Sequence, residues 1–237
     1  MRVAAIIPAA GLGTRMRRAA EGAEKSPKQF LRLDGSSILM HTVRKFVACP
    51  SIGEIIVALR AQDRGRFEQE LGEAALARPV VLVEGGRYRQ ESVRNGLERV
   101  SPGVELVAVH DAVRPCVPVE LIERVIQAAA RTGAAIPGLP PVETVKQVEN
   151  TRIRTTLPRE RIVLAQTPQV FRLELLRRAY QQAEADEFVG TDEASLVEHL
   201  EVDVSVVPGS DRNIKITRQS DLALAQLFLR EAAGDHG

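Results

Sequence analysis

Short apolar runs alternate with amphipathic helical patterns along the first 136 residues of the chain. The runs that predict buried strands are residues 3–7, 54–59, 79–83, 104–109 and 134–136. Apolar positions at helical spacing predict a helix capped by Ser36 or Ser37, a helix over 91–100, and a helix that begins at Pro118. This order predicts an α/β fold with a mostly parallel sheet and helices on both faces. Functional residues are then expected in loops at the carboxyl ends of the strands.

The pattern changes between residues 140 and 158. Two short runs of mixed polarity flank Glu149, Asn150 and Thr151, which predicts a hairpin arm with too few apolar residues to bury itself. Such an arm is either a solvated flap or a contact for a second subunit. The remaining predicted elements are a helix over 172–183, a helix after Thr191, a strand over 202–207, a strand with Ile214 and Ile216, and a helix over 221–232. We see no repeat or linker, so we predict a single domain, 1–237, with a β-arm at about 140–158.

Composition narrows the functional classes. The 237 residues include 32 basic and 31 acidic side chains, and only 3% are aromatic, with no Trp. This balance argues against a nucleic-acid-binding surface. The N-terminal apolar run is too short to span a membrane, and the two cysteines show no metal or secreted-framework spacing, so we expect a cytoplasmic location. Only five basic residues are lysines, which draws attention to Lys28 and Lys215.

The first predicted strand leads into a Gly-rich loop at residues 8–16. Small residues before a helix allow backbone N–H groups to approach phosphates. The dinucleotide fingerprint is absent, because Met16 stands at the position of its third glycine, and the P-loop pattern is absent too. The loop is either a tight turn or an anion site. Arg15 and Lys28 add two cations, which suits a triphosphate better than a dinucleotide.

Two further loops follow predicted strands. Gly85 and Gly86 permit close backbone approach to a flat group, and Ser92 supplies a hydroxyl, although a plain turn with a helix cap explains the same residues. Asp111 ends a buried strand, where a carboxylate binds a ribose hydroxyl, a metal or the backbone of its own turn. We interpret His110 as structural rather than catalytic.

Several motifs form one ordered set along nearly the whole chain: PAAGLGTRM, PKQF, GGRYRQESV, VHDAVRPC, TPQ, TDEAS and NIKIT. With these motifs the chain resembles the 2-C-methyl-D-erythritol 4-phosphate cytidylyltransferase family. The resemblance implies a Rossmann-like α/β domain, a homodimer joined through protruding β-arms, CTP and a polyol phosphate as substrates, and Mg²⁺ as cofactor. It also implies transfer of CMP from CTP to methylerythritol phosphate with release of pyrophosphate.

The resemblance assigns residues to three roles. Those implied in catalysis are Arg15, Lys28 and Lys215. Those implied in nucleotide binding are Ala9, Ala10, Gly11, Gly13, Gly86, Ser92, Asp111 and Ala112. Those implied in acceptor binding are Asp111, Arg114, Thr144, Arg159, Thr167 and Thr191, with Thr144 and Arg159 reaching a neighbouring subunit. Mg²⁺ would be held mainly by the CTP phosphates, with Asp111 as the candidate protein ligand.

The chain departs from the family pattern at a few positions. Segment 17–26 is longer than usual, Arg87 follows Gly-Gly where an acid is common, and Glu143 and Pro158 stand where Asp is common. Alternative interpretations are a ribitol-5-phosphate cytidylyltransferase, a nucleotidyltransferase for another base, and a non-catalytic nucleotide-binding module. The acceptor phosphate is already an anionic nucleophile, so the reaction needs positioning and charge stabilisation rather than a strong base.

Overall fold

The computed structural model describes residues 1–11 and 27–234. Its main sheet has eight strands: β1 (Val3–Pro8), β4 (Ile52–Leu59), β5 (Val80–Glu84), β6 (Leu106–Val109), β7 (Ala134–Leu139), β10 (Leu164–Ala165), β11 (Gln169–Arg172) and β12 (Ser205–Pro208). Seven of them lie in the order β10-β7-β11-β6-β1-β4-β5, and β12 also pairs with β7. The pairs among β1, β4, β5 and β6 are parallel, whereas β11 runs antiparallel to β6 and β7.

Helices cover both faces of this sheet, as predicted. The helices are α1 (Ile38–Ala48), α2 (Ala61–Ala74), α3 (Arg89–Leu97), α4 (Val119–Thr132), α5 (Leu173–Ala185), α6 (Glu193–Glu198) and α7 (Gln219–Gly234). Alternate residues of β1 face opposite layers: Ala5 and Ile7 pack with α1 and α4, while Ala4 and Ile6 pack with α3 and α5. A strand that is buried on both faces reads as a continuous apolar run, which is why β1 was recognisable in the sequence.

The predicted hairpin is present. Strands β8 (Val145–Glu149) and β9 (Arg152–Leu157) pair only with each other within the described sheets, and their residues are mostly exposed. Asn150 and Thr151 have positive φ angles of 48° and 66° at the turn. Two positive φ angles in a row suit a two-residue hairpin turn, because they match the twist of the strands. Another short pair joins β2 (Arg32–Leu33) to β3 (Ser36–Ser37).

One predicted strand is wrong. Residues 214–216 form no strand; they are an extended loop that docks on the loop after β6. The Ile216 amide donates a hydrogen bond of 2.9 Å to the Val113 carbonyl, and the Ile216 side chain is fully buried. Two isoleucines flanking a polar residue give the same sequence pattern as a strand, although only Ile216 of the three is buried. The Lys215 side chain consequently reaches Asp111 instead of an outer sheet surface.

Candidate active site

The start of the loop after β1 is fixed by the side chain of Gln29, which lies in the short 3₁₀ turn Lys28–Phe30. The buried Gln29 amide donates hydrogen bonds of 2.6 Å to the Ala9 carbonyl and 3.2 Å to the Gly11 carbonyl. The Ala9 amide donates to the Ala58 carbonyl of β4 at 2.8 Å. These bonds fix the described start of the loop, Ala9 to Gly11. Gln29 belongs to the PKQF motif, but no role was predicted for it.

The loop after β5 packs directly against the first loop. A Cβ atom on Gly85 would collide with the Ala10 Cβ, and a Cβ atom on Gly86 would collide with the Glu91 Cβ. The Ser92 hydroxyl accepts a hydrogen bond of 3.1 Å from the Gly86 amide. The two glycines are therefore required by packing within the protein, and Ser92 closes the turn.

Asp111 lies at the centre of a cluster of cations. Its Oδ1 accepts from Arg89 Nε at 3.3 Å, and its Oδ2 accepts from Lys215 Nζ at 2.9 Å and from Arg114 Nε at 3.3 Å. Burial alone would raise the pKa of Asp111, but the charges of Arg89, Lys215 and Arg114 outweigh it and hold the pKa well below its usual range. Asp111 is a carboxylate throughout the physiological pH range.

Several predicted residues meet around one cleft at the carboxyl ends of β1, β5 and β6. Lys28 also joins the Lys215 loop, because its Nζ donates to the Ile216 carbonyl at 3.2 Å. The cleft is lined by Pro8, Ala9, Ala10, Gly11, Lys28, Gln29, Gly86, Arg87, Tyr88, Arg89, Ser92, Asp111, Ala112, Val113 and Lys215. The predictions for Gly13, Arg15 and segment 17–26 lie outside the described residues.

Of the predicted acceptor residues, Asp111 alone lines this cleft in the described part of the chain. Thr167 is buried beneath it, Arg114 is buried beside Asp111, and Thr191 is exposed before α6. Thr144 is exposed at the base of the hairpin, where Arg159 Nη1 donates to the Val142 carbonyl at 2.9 Å. The cap of α6 is Asp192, next to Thr191, and its Oδ1 accepts from the Ser195 amide at 3.0 Å.

His110 has a structural role, as predicted. Its Nε2 lies 3.2 Å from the Arg114 carbonyl, which can only accept, so Nε2 carries the proton. Its Nδ1 then accepts from the Thr167 hydroxyl at 3.0 Å, and that same hydroxyl accepts from the Asp111 amide at 3.1 Å. Complete burial lowers the pKa of His110 to about 3, so the ring is neutral and both nitrogens are engaged.

The partners of Arg89 were not predicted. The Arg89 guanidinium bridges Asp111 and the buried Glu193, and Glu193 forms no ion pair with any other described cation. Residues 89 and 193 lie in motifs that the sequence analysis quoted, but 104 positions separate them. The two residues lie in helices that are far apart in the sequence, and no pattern within a single sequence pairs them.

The described residues offer no ready-made metal centre: they contain no group of three or more His, Cys, Asp or Glu side chains that could hold a metal ion. Asp111 is the one cleft carboxylate among them that was predicted as a ligand, and both of its oxygens already accept from cations. Mg²⁺ commonly keeps several waters and binds through one or two carboxylates and substrate phosphates. The residues fit a metal that arrives on the nucleotide, with at most one carboxylate from the protein.

None of the described helices has the length and apolar character needed to cross a membrane.

Comparisons with known proteins identify the family of the chain. A family model for 2-C-methyl-D-erythritol 4-phosphate cytidylyltransferase matches residues 3–231. The protein of that name from Solibacter usitatus is 58% identical over 238 residues, covering 98% of each chain. Its counterpart from Acidobacterium capsulatum is 51% identical over 236 residues, again covering 98% of each.

Solved structures give the same result. The 4-diphosphocytidyl-2C-methyl-D-erythritol synthase of Anaerococcus prevotii superposes with a TM-score of 0.83 at 31% identity, covering 96% of this chain and 98% of that one. The cytidylyltransferase of Thermus thermophilus gives a TM-score of 0.76 at 35% identity, covering 97% and 100%. These names specify the methylerythritol acceptor and give no support to ribitol phosphate or to a non-catalytic module. The chain therefore belongs to the 2-C-methyl-D-erythritol 4-phosphate cytidylyltransferase family, and its reaction is the transfer of CMP from CTP to 2-C-methyl-D-erythritol 4-phosphate in isoprenoid biosynthesis.

Proposed function

We propose that Lys28 and Lys215 hold the CTP phosphates during this transfer and that Asp111 positions Lys215. The observation that carries the proposal is the ion pair of 2.9 Å between Lys215 Nζ and Asp111 Oδ2 at the mouth of the cleft. The Lys215 side chain is 37% exposed, so it is held by the buried carboxylate and still faces the cleft. Arg15, outside the described residues, is proposed as a further phosphate ligand on sequence grounds.

The reaction needs no covalent intermediate on the described residues. Burial raises the pKa of Cys49 to about 12 and that of Cys116 to about 11, so neither thiol is a ready nucleophile. His110 is neutral and hydrogen-bonded through both nitrogens. The acceptor phosphate therefore attacks the α-phosphorus of CTP directly, and pyrophosphate leaves. Fixed cations lower the barrier because they stabilise the charge that develops on the phosphates.

On the acceptor side, we propose contacts to Thr167, Thr191 and Arg114, with Thr144 and Arg159 contributed across a subunit boundary. The Thr167 hydroxyl already donates to His110 and accepts from the Asp111 amide, so one acceptor lone pair remains. Thr167 is therefore suited to accept from a hydroxyl of the polyol rather than to donate to its phosphate.

We also propose dependence on Mg²⁺. When bound, the ion would neutralise phosphate charge, and Asp111 is the described residue placed to face it. Activity should disappear on chelation with EDTA and return on addition of excess Mg²⁺. Turnover that continues in EDTA would refute this part of the proposal.

A homodimer through the hairpin is proposed as well. Val142, Val148 and Ile153 are 83%, 56% and 64% exposed, and their burial by a second subunit would remove apolar surface from water. Sedimentation velocity at micromolar concentration should give twice the mass of 25.9 kDa. A monomer would remove Thr144 and Arg159 from the site.

A cytoplasmic location is proposed because both described cysteines are buried and unpaired.

The central test compares Lys28→Ala, Lys215→Ala and the control Lys45→Ala, which removes a lysine on α1 outside the cleft. Pyrophosphate release from CTP should fall by roughly 100-fold or more in the first two variants, because each removes a cation that stabilises phosphate charge. The control should retain wild-type turnover. Equal activity in all three proteins would overturn the proposal.

A further inference from the structure

One guanidinium group connects the two sides of the site. Arg89 Nη1 donates to Glu193 Oε1 at 2.7 Å, and Arg89 Nε donates to Asp111 Oδ1 at 3.3 Å. The shorter contact is thus the one to Glu193. Burial would lower the pKa of Arg89, but the charges of Glu193 and Asp111 outweigh it and raise the pKa. The Arg89 side chain is 30% exposed and lines the cleft.

Glu193 lies where burial of a carboxylate is energetically unfavourable. It is 1% exposed, and among the described residues its Oε1 accepts from Arg89 and from the Tyr180 hydroxyl, the latter at 3.1 Å. Its Oε2 is buried and has no hydrogen-bond partner among the described residues. A buried carboxylate that is only half satisfied destabilises a fold relative to an apolar side chain of similar size. Stability alone therefore does not explain this glutamate.

The backbone that carries Glu193 is fixed to the same strands as Asp111. Gln169 Nε2 donates to Asp192 Oδ2 at 2.7 Å, and the Ala194 amide donates to Gln169 Oε1 at 3.0 Å. Gln169 begins β11 and pairs with Val109 at the end of β6, two residues before Asp111. Glu193 and Asp111 therefore have a defined separation, and Arg89 spans it.

We propose that Glu193 is a positioning residue for the transfer reaction: it holds Arg89 in the orientation that fixes Asp111, and so connects the loop of Thr191 to the nucleotide cleft. This inference rests on the place of Asp111 in the proposed function. Arg89 is a long side chain with several rotamers, and its remaining anchor without Glu193 is the contact of 3.3 Å. The carboxylate of Asp111 would then lose a fixed partner on Oδ1.

The charges predict a specific kinetic signature. Arg89, Arg114 and Lys215 carry three positive charges, and Asp111 and Glu193 carry two negative charges. Glu193→Gln keeps the shape and removes one negative charge, so the cleft becomes more attractive to CTP. We expect kcat to fall by about tenfold, as for other supporting residues of a reaction centre, while KM for CTP does not rise.

The experiment is a double-mutant cycle with Arg89→Met, using steady-state pyrophosphate release at a temperature where circular dichroism shows every variant folded. Glu193→Gln should lower kcat in the wild-type background and cause no further fall in the Arg89→Met background. The control is Ser195→Ala, which removes a hydroxyl from the cap of the same helix and leaves Arg89 and Glu193 in place. It should alter melting temperature only.

The outcomes separate two failures. Full kcat in Glu193→Gln, or equal falls in both backgrounds, would overturn the positioning role of Glu193. Asp111→Asn, measured in parallel, tests the proposed function itself: if that variant is fully active, the assignment of Asp111 fails first. A loss in Asp111→Asn with none in Glu193→Gln would refute this inference alone.

Discussion

Neutralising Asp111 removes the only carboxylate that contacts Lys215 and Arg114 among the described residues. Asp111→Asn keeps the size of the side chain and leaves the buried cluster with three cations and Glu193 alone. Removing one partner of a buried ion pair typically costs about 3–5 kcal/mol. The Lys215 and Arg89 side chains are 37% and 30% exposed, so water compensates part of that loss, whereas Arg114 is only 10% exposed.

Discounting that range for the part that water compensates, we expect a loss of unfolding free energy of about 2–3 kcal/mol. At roughly 2–4 °C per kcal/mol for a chain of this size, the melting temperature should fall by about 4–12 °C. The value of kcat should fall by about 100-fold, because the position of Lys215 is lost.

Thermal unfolding by circular dichroism and steady-state pyrophosphate release measure the two effects. The matched control is Asp211→Asn, the same chemical change at an exposed residue near the Lys215 loop. If Asp111→Asn behaved like this control in both assays, the cation cluster would have neither the structural nor the catalytic weight that we assign to it.

Two further predictions concern the loops and the buried histidine. Gly85→Ala should raise KM for CTP and lower the melting temperature, since the new Cβ would displace Ala10. The control Gly72→Ala, in open space on α2, should be neutral or stabilising by about 0.5–1 kcal/mol. An unchanged KM in Gly85→Ala would contradict the packing argument. Because the pKa of His110 is lowered from 6.5 to about 3, the unfolded chain binds the extra proton, and the stability from neutral His110 is present above pH 6.5 and lost as pH falls. Urea unfolding between pH 6.5 and 4.5 should show a slope greater by about 1.4 kcal/mol per pH unit in wild type than in His110→Asn, and equal slopes would show that His110 is not held neutral.

Much of the fold was predictable because its central strands are buried on both faces. The runs at β1, at β6 and at residues 55–59 of β4 are continuously apolar. Of the two serines predicted as the cap of α1, Ser37 is the cap, and its hydroxyl accepts from the Met40 amide at 3.0 Å. Helix α2 gave little signal, since Phe67 is its one buried apolar side chain. Strand β11 was not predicted either: it has four residues and begins at Gln169, the last residue of the TPQ motif, so it is too short for a clear alternating pattern.

The cleft was predictable only where its residues follow strands in sequence. Gly86, Ser92 and Asp111 come directly after apolar runs, so the parallel sheet brings them together. Lys215 was selected by the rarity of lysine and by resemblance, while its supposed strand does not exist. The contacts of Arg89 with Glu193 and of Gln29 with the first loop depend on tertiary packing, and no local pattern of residues encodes them.

The most direct test of the whole account is pyrophosphate release from CTP and Mg²⁺ with 2-C-methyl-D-erythritol 4-phosphate and, in parallel, with ribitol 5-phosphate. We expect rapid pyrophosphate release with methylerythritol phosphate and little with ribitol phosphate. The first reaction should also form 4-diphosphocytidyl-2-C-methyl-D-erythritol. Preference for ribitol phosphate, or release with neither acceptor, would contradict it.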